Sequence, residues 1–446
     1  MAAADLKASP LGRIAALGGL AGRVGTSLVA NQVLGVIRSG PARQLRRTEA
    51  LVRNAGRVAE TLGELKGAAM KVGQMLSLHE GLLPPEVAEV LRSLQRKAPP
   101  VPAEVMEEEI RGALPDYDAL FEHLDFEAFA AASIGQVHRG LLRDGRQVAV
   151  KIQYPLIEEI VRADLVNLRR LVQLVVSLAF DLDVEPIWRE VRDRLLEELD
   201  YEHEAANMRR MAELHRDVPE IVIPRVVSEA STRRVLTMEL TEGLPAEAAC
   251  STECPQRLRD AWARVLFEFQ FRGLFEHRCL HADPNLANFA FLDDGRVIVY
   301  DFGCVKQVPA ALAAGYAGLL VAAVAGDREA LPGILHRMGV FKVGGQPLPV
   351  EVVDEYYDTL APVLRSTPPY TFGEDPQLYQ RLVDIGLRSW SEATDIRFPE
   401  DAIFIDRSLA GHFGNFTRLR ATGPWRELVL RHAGPLAALP TPRPDP

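Results

Sequence analysis

The segment His281-Ala282-Asp283-Pro284-Asn285-Leu286-Ala287-Asn288, followed downstream by Asp301-Phe302-Gly303, restricts this chain more than any other. Asp283 precedes Asn288 by five residues, and Asn288 precedes Asp301 by thirteen. Between them Phe289 to Leu292 and Val297 to Tyr300 flank Asp293-Asp294-Gly295, a β-hairpin sequence in which Asp-Gly supplies the positive φ of a tight turn. A second hairpin is predicted upstream, from a strand near Ile134 to Arg139, an Asp144-Gly145 turn and the alternating strand Gln147 to Ile152. Alternation in that strand sends Val148, Val150 and Ile152 to one face and Ala149 with Lys151 to the other. A small residue beside a lysine then faces a cleft. Ala149 leaves room for a flat base and Lys151 can reach phosphate oxygens, although a strand lysine alone is usually just solvated.

The 446-residue chain is 48% hydrophobic and 25% charged, which excludes disorder, collagen and coiled-coil arrays as whole-chain readings. Its length suits about three domains, or two large lobes sharing a cleft. Cys250, Cys254, Cys279 and Cys304 are too few and too clustered for a disulfide framework, and a signal peptide's apolar core is missing. A reducing, cytoplasmic setting is expected. The net charge of −10 argues against nucleic-acid binding. Residues 1–60 nevertheless carry nine Lys/Arg against Asp5, Glu49 and Glu60, so the remainder stands at −16. With Leu17, Leu20, Leu28, Val29, Val33, Leu34 and Ile37, this basic segment has the composition of a peripheral contact with an anionic membrane surface; a solvated helical extension is the plainer reading. Val24 to Ile37 is too short to span a membrane, and the uncharged run Gln307 to Gly326 reads as a buried core helix after Pro309.

Apolar residues at Val58, Leu62, Leu65, Ala69, Val72 and Leu76 mark one helix, and a second starts at Pro84-Pro85. Lys71 and Gln74 fall on the polar side of the first, with Gly73 allowing close backbone approach. After the boundary Ala98 to Pro102 come the first hairpin, helical periodicity between Ile157 and His215, strands at Ile221 to Val227 and Arg234 to Leu240, and helices after Pro255. The chain divides into a basic segment (1–57), a helical extension (58–98), a smaller lobe with a helical insertion (99–240), a larger helical lobe (241–434) and a Pro-rich, frayed tail (435–446).

These segments together resemble the atypical kinase-like family named after the bacterial ubiquinone-biosynthesis protein UbiB, also called AarF. The resemblance runs from about Leu62 to Gly326. It includes Lys71-Val72-Gly73-Gln74, Ala130 to His138, Val148 to Lys151, Glu198-Leu199-Asp200-Tyr201 with Glu204, Asp283 to Asn288, and Asp301 to Gly303. It implies an α+β, bilobal protein-kinase-like fold with an N-terminal helical extension, and a nucleotide, ATP or ADP with Mg²⁺, between the lobes. Lys151 is implied to reach phosphate, Glu204 to pair with it from a helix, and Asn288 and Asp301 to ligate Mg²⁺, which their hard oxygen donors suit. Asp283 is implied to orient or deprotonate the acceptor. Ala130, Ala131, Ala132, Ser133, Ala149, Lys151, Glu239 and Leu240 are implied to contact the nucleotide. Lys71 and Gln74 are implied to lie over the site as a lid and to pair with the regulatory acids Glu198 and Asp200. Two residues apart, those acids cannot share a helical face, so Asp200 is predicted to cap a helix starting at Tyr201.

Ala130 to Ala132 stand where ordinary protein kinases have a Gly-rich loop, and alanine resists positive φ. The chain also lacks a lysine two residues after Asp283, an arginine before it, an Ala-Pro-Glu motif, and any Ser, Thr or Tyr between Gly303 and Tyr316. The favoured expectation is hydrolysis of Mg-nucleotide or phosphoryl transfer to a small or isoprenoid-lipid-like acceptor, in support of quinone or lipid metabolism. A nucleotide-gated scaffold for lipid or protein, and an ordinary Ser/Thr protein kinase, are the alternatives. A zinc site from His277, Cys279 and His281 with Cys250 and Cys254 has the wrong spacing, and buried cysteines are the plainer account.

Overall fold

The computed structural model describes residues 101–438, except 133, 160, 163–164, 166–168, 170–184, 376, 379, 383–384, 386–395 and 400. The basic segment, the extension bearing Lys71 and Gln74, Ser133, and residues after 438 therefore lie outside the described residues. Two compact units emerge: one comprises residues up to 202 together with 227–238, the other 203–226 together with 239 onward.

Among the described residues the first unit begins with helix α1 (Ala103–Ala113), whose Met106 and Ile110 lie one turn apart and are fully buried. A five-stranded sheet follows, made of β1 (Phe121–Leu124), β2 (Ala130–Ala131), β3 (Gly135–Leu142), β4 (Gln147–Gln153) and β5 (Val235–Glu239). Its order is β1-β3-β4-β5, with β2 added alongside β3. Val148, Val150 and Ile152 of β4 join Met106, Ile110, Phe121 and Leu124 in one apolar cluster, to which Ala149 and Lys151 do not belong. Helix α2 (Glu185–Glu197) precedes Glu198 and Asp200, and α3 (Tyr201–Leu214) starts as the chain leaves this unit.

In the second unit, β6 (Cys279–His281) pairs antiparallel with β9 (Val305–Gln307), and between them in sequence β7 (Phe289–Phe291) pairs antiparallel with β8 (Val297–Val299). The helices include α4 (Gln256–Phe271), α5 (Ala310–Ala325), α6 (Ala402–Leu419) and α7 (Trp425–Ala437). Their core is aromatic: Phe267 stacks on Phe271 at 3.9 Å between centroids, and Phe416 on Trp425 at 5.4 Å. The run after Pro309 is the expected helix α5, closed by Gly326 at φ 83°. Among the described residues no helix is long and apolar enough to cross a membrane.

Both hairpins turn by the same chemistry. Gly145 (φ 87°) and Gly295 (φ 93°) take the left-handed position, while Asp144 and Asp294 accept the backbone N–H of Arg146 and Arg296 at 3.0 and 3.1 Å. Two expectations need correction. The strand anticipated over Ile221 to Val227 covers only Ile221–Val222, parallel to β8, because Pro224 has no N–H to continue a ladder. The Pro-rich tail drawn from 435 begins too early, since α7 carries Pro435 in its last turns. There the missing N–H costs one hydrogen bond near an end that frays anyway.

His432 of α7 joins this helix to the end of α4. Its Nε2 lies 2.8 Å from Glu268 Oε2 and its Nδ1 2.8 Å from Glu276 Oε1, with the side chain 3% exposed. Burial opposes the imidazolium, but the bonds to Glu268 and Glu276 outweigh it, so the pKa of His432 is raised. The bond to His432 in turn holds the Glu268 carboxyl low. A raised folded-state pKa stabilises fully below the unfolded value of about 6.5 and is lost as pH climbs through the folded value. His432→Leu should therefore be less stable than wild type by about 1–3 kcal/mol at pH 5.5, with the gap closing as pH rises past neutrality. Denaturant unfolding of both proteins from pH 5.5 to 9 checks this, and a gap independent of pH would contradict it.

Candidate functional site

In the first unit Lys151 lies opposite Val137 in the β3–β4 ladder and is 8% exposed. Its ammonium stands 4.9 Å from the centroid of the Tyr201 ring, whose π face favours a cation. Ala149, two residues before it on the same strand face, is also buried. Ala130 and Ala131 pair with Val137 and Gln136, and Ala132 N–H donates to Gly135 O at 2.9 Å, so the Ala-rich segment is a short strand and a tight reversal. Gly135 is required there. A Cβ would stand 2.1 Å from Ile152 O, so only a hydrogen lets β3 come this close to β4.

The next two inward residues of β3 are polar and buried. Gln136 Oε1 accepts Val101 N–H at 3.0 Å, and His138 Nδ1–H donates to Asp125 O at 2.9 Å. Burial pushes the His138 pKa down against the pull of that carbonyl, which keeps the ring neutral. Asp200 behaves as predicted: its carboxylate accepts Glu202 N–H at 3.0 Å at the start of α3. Glu198 is half-buried at the preceding turn.

The second unit brings together the acids and amides of the motif. Glu204 of α3 is 4% exposed, and its Oε1 accepts Phe302 N–H at 3.4 Å. Asn207, one turn further on, donates to Phe302 O at 3.0 Å. His281 Nε2–H donates to Asp301 O at 2.7 Å and meets the buried Phe302 ring edge-on at 5.5 Å. Asp301 Oδ1 accepts Gly303 N–H at 3.0 Å. The backbone of Asp301-Phe302 is thus held by three side chains from two separate elements.

Asp283 to Asn288 closes on itself. Asp283 Oδ1 accepts Asn285 N–H at 3.3 Å, and Asn285 Oδ1 accepts Ala287 N–H at 3.1 Å, capping the turn Leu286–Asn288. Asn288 Nδ2 donates to Asp283 O at 3.4 Å, and Tyr300 N–H donates to Asn288 O at 2.9 Å. With Nδ2 engaged, Asn288 keeps its amide oxygen unused by that bond, and this oxygen and the Asp301 carboxylate are both hard donors of the kind Mg²⁺ takes. Glu239, at the end of β5, exchanges bonds with the Arg225 backbone: its N–H donates to Arg225 O and its carboxylate accepts Arg225 N–H. Leu240 follows it, half-buried. Sequence reasoning missed Asn207, whose one signal is its i+3 spacing from Glu204, and the side chains of α6 that meet the Asp283 loop, for which no local pattern exists.

Residues 93–334 match the family model described as the ABC1 atypical kinase-like domain. The chain is similar to the Caenorhabditis elegans protein "Atypical kinase coq-8, mitochondrial", 31% identical over 83% of this chain and 49% of that protein. It is also similar to "Atypical kinase COQ8B, mitochondrial" of Rattus norvegicus, 35% identical over 72% of this chain and 61% of that protein. The Danio rerio protein of the same description is 30% identical over 95% and 68%. The chain thus spans about half to two thirds of the length of these curated relatives. Among solved structures, a Mycobacterium tuberculosis protein in complex with erythromycin is similar at a TM-score of 0.64 and 29% identity, over 88% of this chain and 98% of that one.

Gly135→Ala should lower stability by about 1–3 kcal/mol, since the strand backbone of Ile152 must move to admit a methyl group. Denaturant unfolding measures it, and an unchanged midpoint would show that the β3–β4 contact yields freely.

Proposed function

The chain belongs to the ABC1 atypical kinase-like family, and from that membership we propose that it binds Mg-nucleotide and either hydrolyses it or passes its phosphoryl group to a small or lipid-like hydroxyl acceptor. The observation that carries this reading is the hydrogen-bonded backbone around Asp283, Asn288 and Asp301. Three side chains hold Asp301-Phe302, and the Asp283 to Asn288 loop is closed by its own hydrogen bonds. Asn288 and Asp301 hold the cation, Lys151 meets phosphate oxygens, and Glu204 fixes Phe302 behind the metal ligand. Bound Mg-nucleotide would supply the electrophilic phosphorus and the cation that neutralises its phosphates. Asp283 accepts the proton of the acceptor hydroxyl as the new O–P bond forms and the bond to the departing nucleotide oxygen breaks.

The family resemblance takes the Ala-rich segment to disfavour general protein phosphorylation. Phe129 N–H and Ala132 N–H donate to Val137 O and Gly135 O, so those two donors are engaged within the sheet rather than turned toward phosphates. Support for isoprenoid quinone metabolism comes from the resemblance to the family named after the ubiquinone-biosynthesis protein UbiB. We also propose peripheral attachment to anionic membranes through the basic segment, and a lid role for Lys71 and Gln74 against Glu198 and Asp200.

Asp301→Asn should abolish the Mg²⁺-dependent rise in melting temperature given by ATP or ADP, and lower turnover on the order of 100-fold. Thermal-shift titration and turnover assays, with and without anionic liposomes and phenolic quinone-precursor mimics, check this. An unchanged shift and unchanged turnover would refute the nucleotide site. Normal binding without turnover under any condition would favour the scaffold.

A further inference from the structure

Helix α6 lies beyond residues 93–334, and one of its faces meets the backbone of the Asp283 loop. Arg407, Ser408, Gly411 and Asn415 recur at helical spacing, so they share that face. Arg407 Nη2 donates to Ala282 O at 2.9 Å. Ser408, fully buried, lies 3.1 Å from His281 O and 3.2 Å from Gln270 Oε1. The neighbouring Gln270 Nε2 is buried without a partner. Turning that amide over lets Nε2 donate to Ser408 Oγ and leaves the hydroxyl proton for the His281 carbonyl. Asn415, 6% exposed, donates Nδ2 to Pro284 O at 2.7 Å.

With Asn288 on Asp283 O, each of the four consecutive carbonyls from His281 to Pro284 meets a side chain, three of them from α6. Between these contacts the loop rests directly on the helix. A Cβ at Gly411 would stand 2.2 Å from Pro284 Cγ and 2.7 Å from Pro284 Cβ, so the glycine makes the seat. Such a run departs from regular secondary structure, where backbone donors would answer these carbonyls. Here side chains do so, and they therefore also fix which way the peptide planes on either side of Asp283 face.

We propose that α6 is the positioning element of the catalytic loop, with Asn415 and Gly411 setting where the Asp283 carboxylate stands. Neither residue needs to touch substrate; both act through Pro284. The inference rests on the reading of Asp283 as the proton acceptor. In that reading a displacement of about 1 Å would cost on the order of 100-fold in the chemical step while leaving nucleotide binding at Asn288, Asp301 and Lys151 largely intact.

The test uses the full chain and three variants: Asn415→Leu, which removes the donor at similar volume, Gly411→Ala, which pushes a methyl group into Pro284, and Arg418→Ala, an exposed control on the same helix. Amide hydrogen exchange reads the loop without reference to activity. Faster exchange across residues 282–288 is expected in the first two variants, with the control and the rest of α6 unchanged. Steady-state kinetics should show kcat falling by about 10–100-fold with KM for nucleotide within about threefold of wild type. Unchanged loop exchange in both variants would overturn the positioning role whatever the kinetics. Faster exchange with unchanged kcat would overturn the link from Pro284 to Asp283. If Asn415→Leu does not fold, Gly411→Ala and Asn415→Ala, which removes the donor without adding bulk, carry the same readouts. Wild-type protein that turns over no nucleotide would defeat the functional reading alone, because the exchange data still decide the positioning of the loop.

Discussion

The grip on the peptide of Asp301-Phe302 is the constraint on which the candidate site depends. In the proposed reading Asp301 would ligate a metal beside phosphates, and such a carboxylate must be kept from relaxing, for which its own backbone is the place to hold it. Here the Phe302 N–H and C=O go to Glu204 and Asn207 of α3, and the Asp301 carbonyl goes to His281 of β6. The Phe302 ring is wholly buried against His281, so rotating the peptide would break polar bonds and open the core together. His281 also begins the loop that carries Asp283 and Asn288. One imidazole thus ties the two halves of the motif into a single piece.

Close backbone approach is the second recurring device. Gly135 lets β3 lie against the Ile152 carbonyl in the first unit, and Gly411 lets Pro284 lie against α6 in the second. In both places the glycine seats a segment of the candidate site, and a methyl group would have to displace backbone or a proline ring, neither of which can swing aside as a flexible side chain would. Polar burial accompanies each seat: Gln136 and His138 follow Gly135, and Ser408 and Asn415 flank Gly411. Each of these is bonded to main chain, so they specify backbone placement.

Much of this was legible in the sequence because it is local. Asp-Gly turns announce both hairpins, alternation assigns the two faces of β4, and the spacing of Glu198 and Asp200 foretells the cap on α3. The run after Pro309 shows itself as a core helix by its length. What failed was also physical. Pro224 ends a strand that apolar composition alone would have extended, and Pro435 sits in a helix because a missing N–H matters little in a last turn. Asn207 and the face of α6 could not be read, since a side chain that bonds a carbonyl 95 to 131 residues away leaves no periodicity or spacing in its own neighbourhood. Gly411 is one of 33 glycines, and only the position of Pro284 distinguishes it.

The central claim is that Asn288 and Asp301 serve one cation. The most direct test is a double-mutant cycle on the Mg²⁺ dependence of nucleotide binding, using Asn288→Ala, Asp301→Asn and the pair. If both ligate the same ion, losing Asp301 already removes most of what Asn288 contributes, so the double variant should bind hardly less well than Asp301→Asn alone. Losses that simply add would place the two residues on independent interactions and contradict the account.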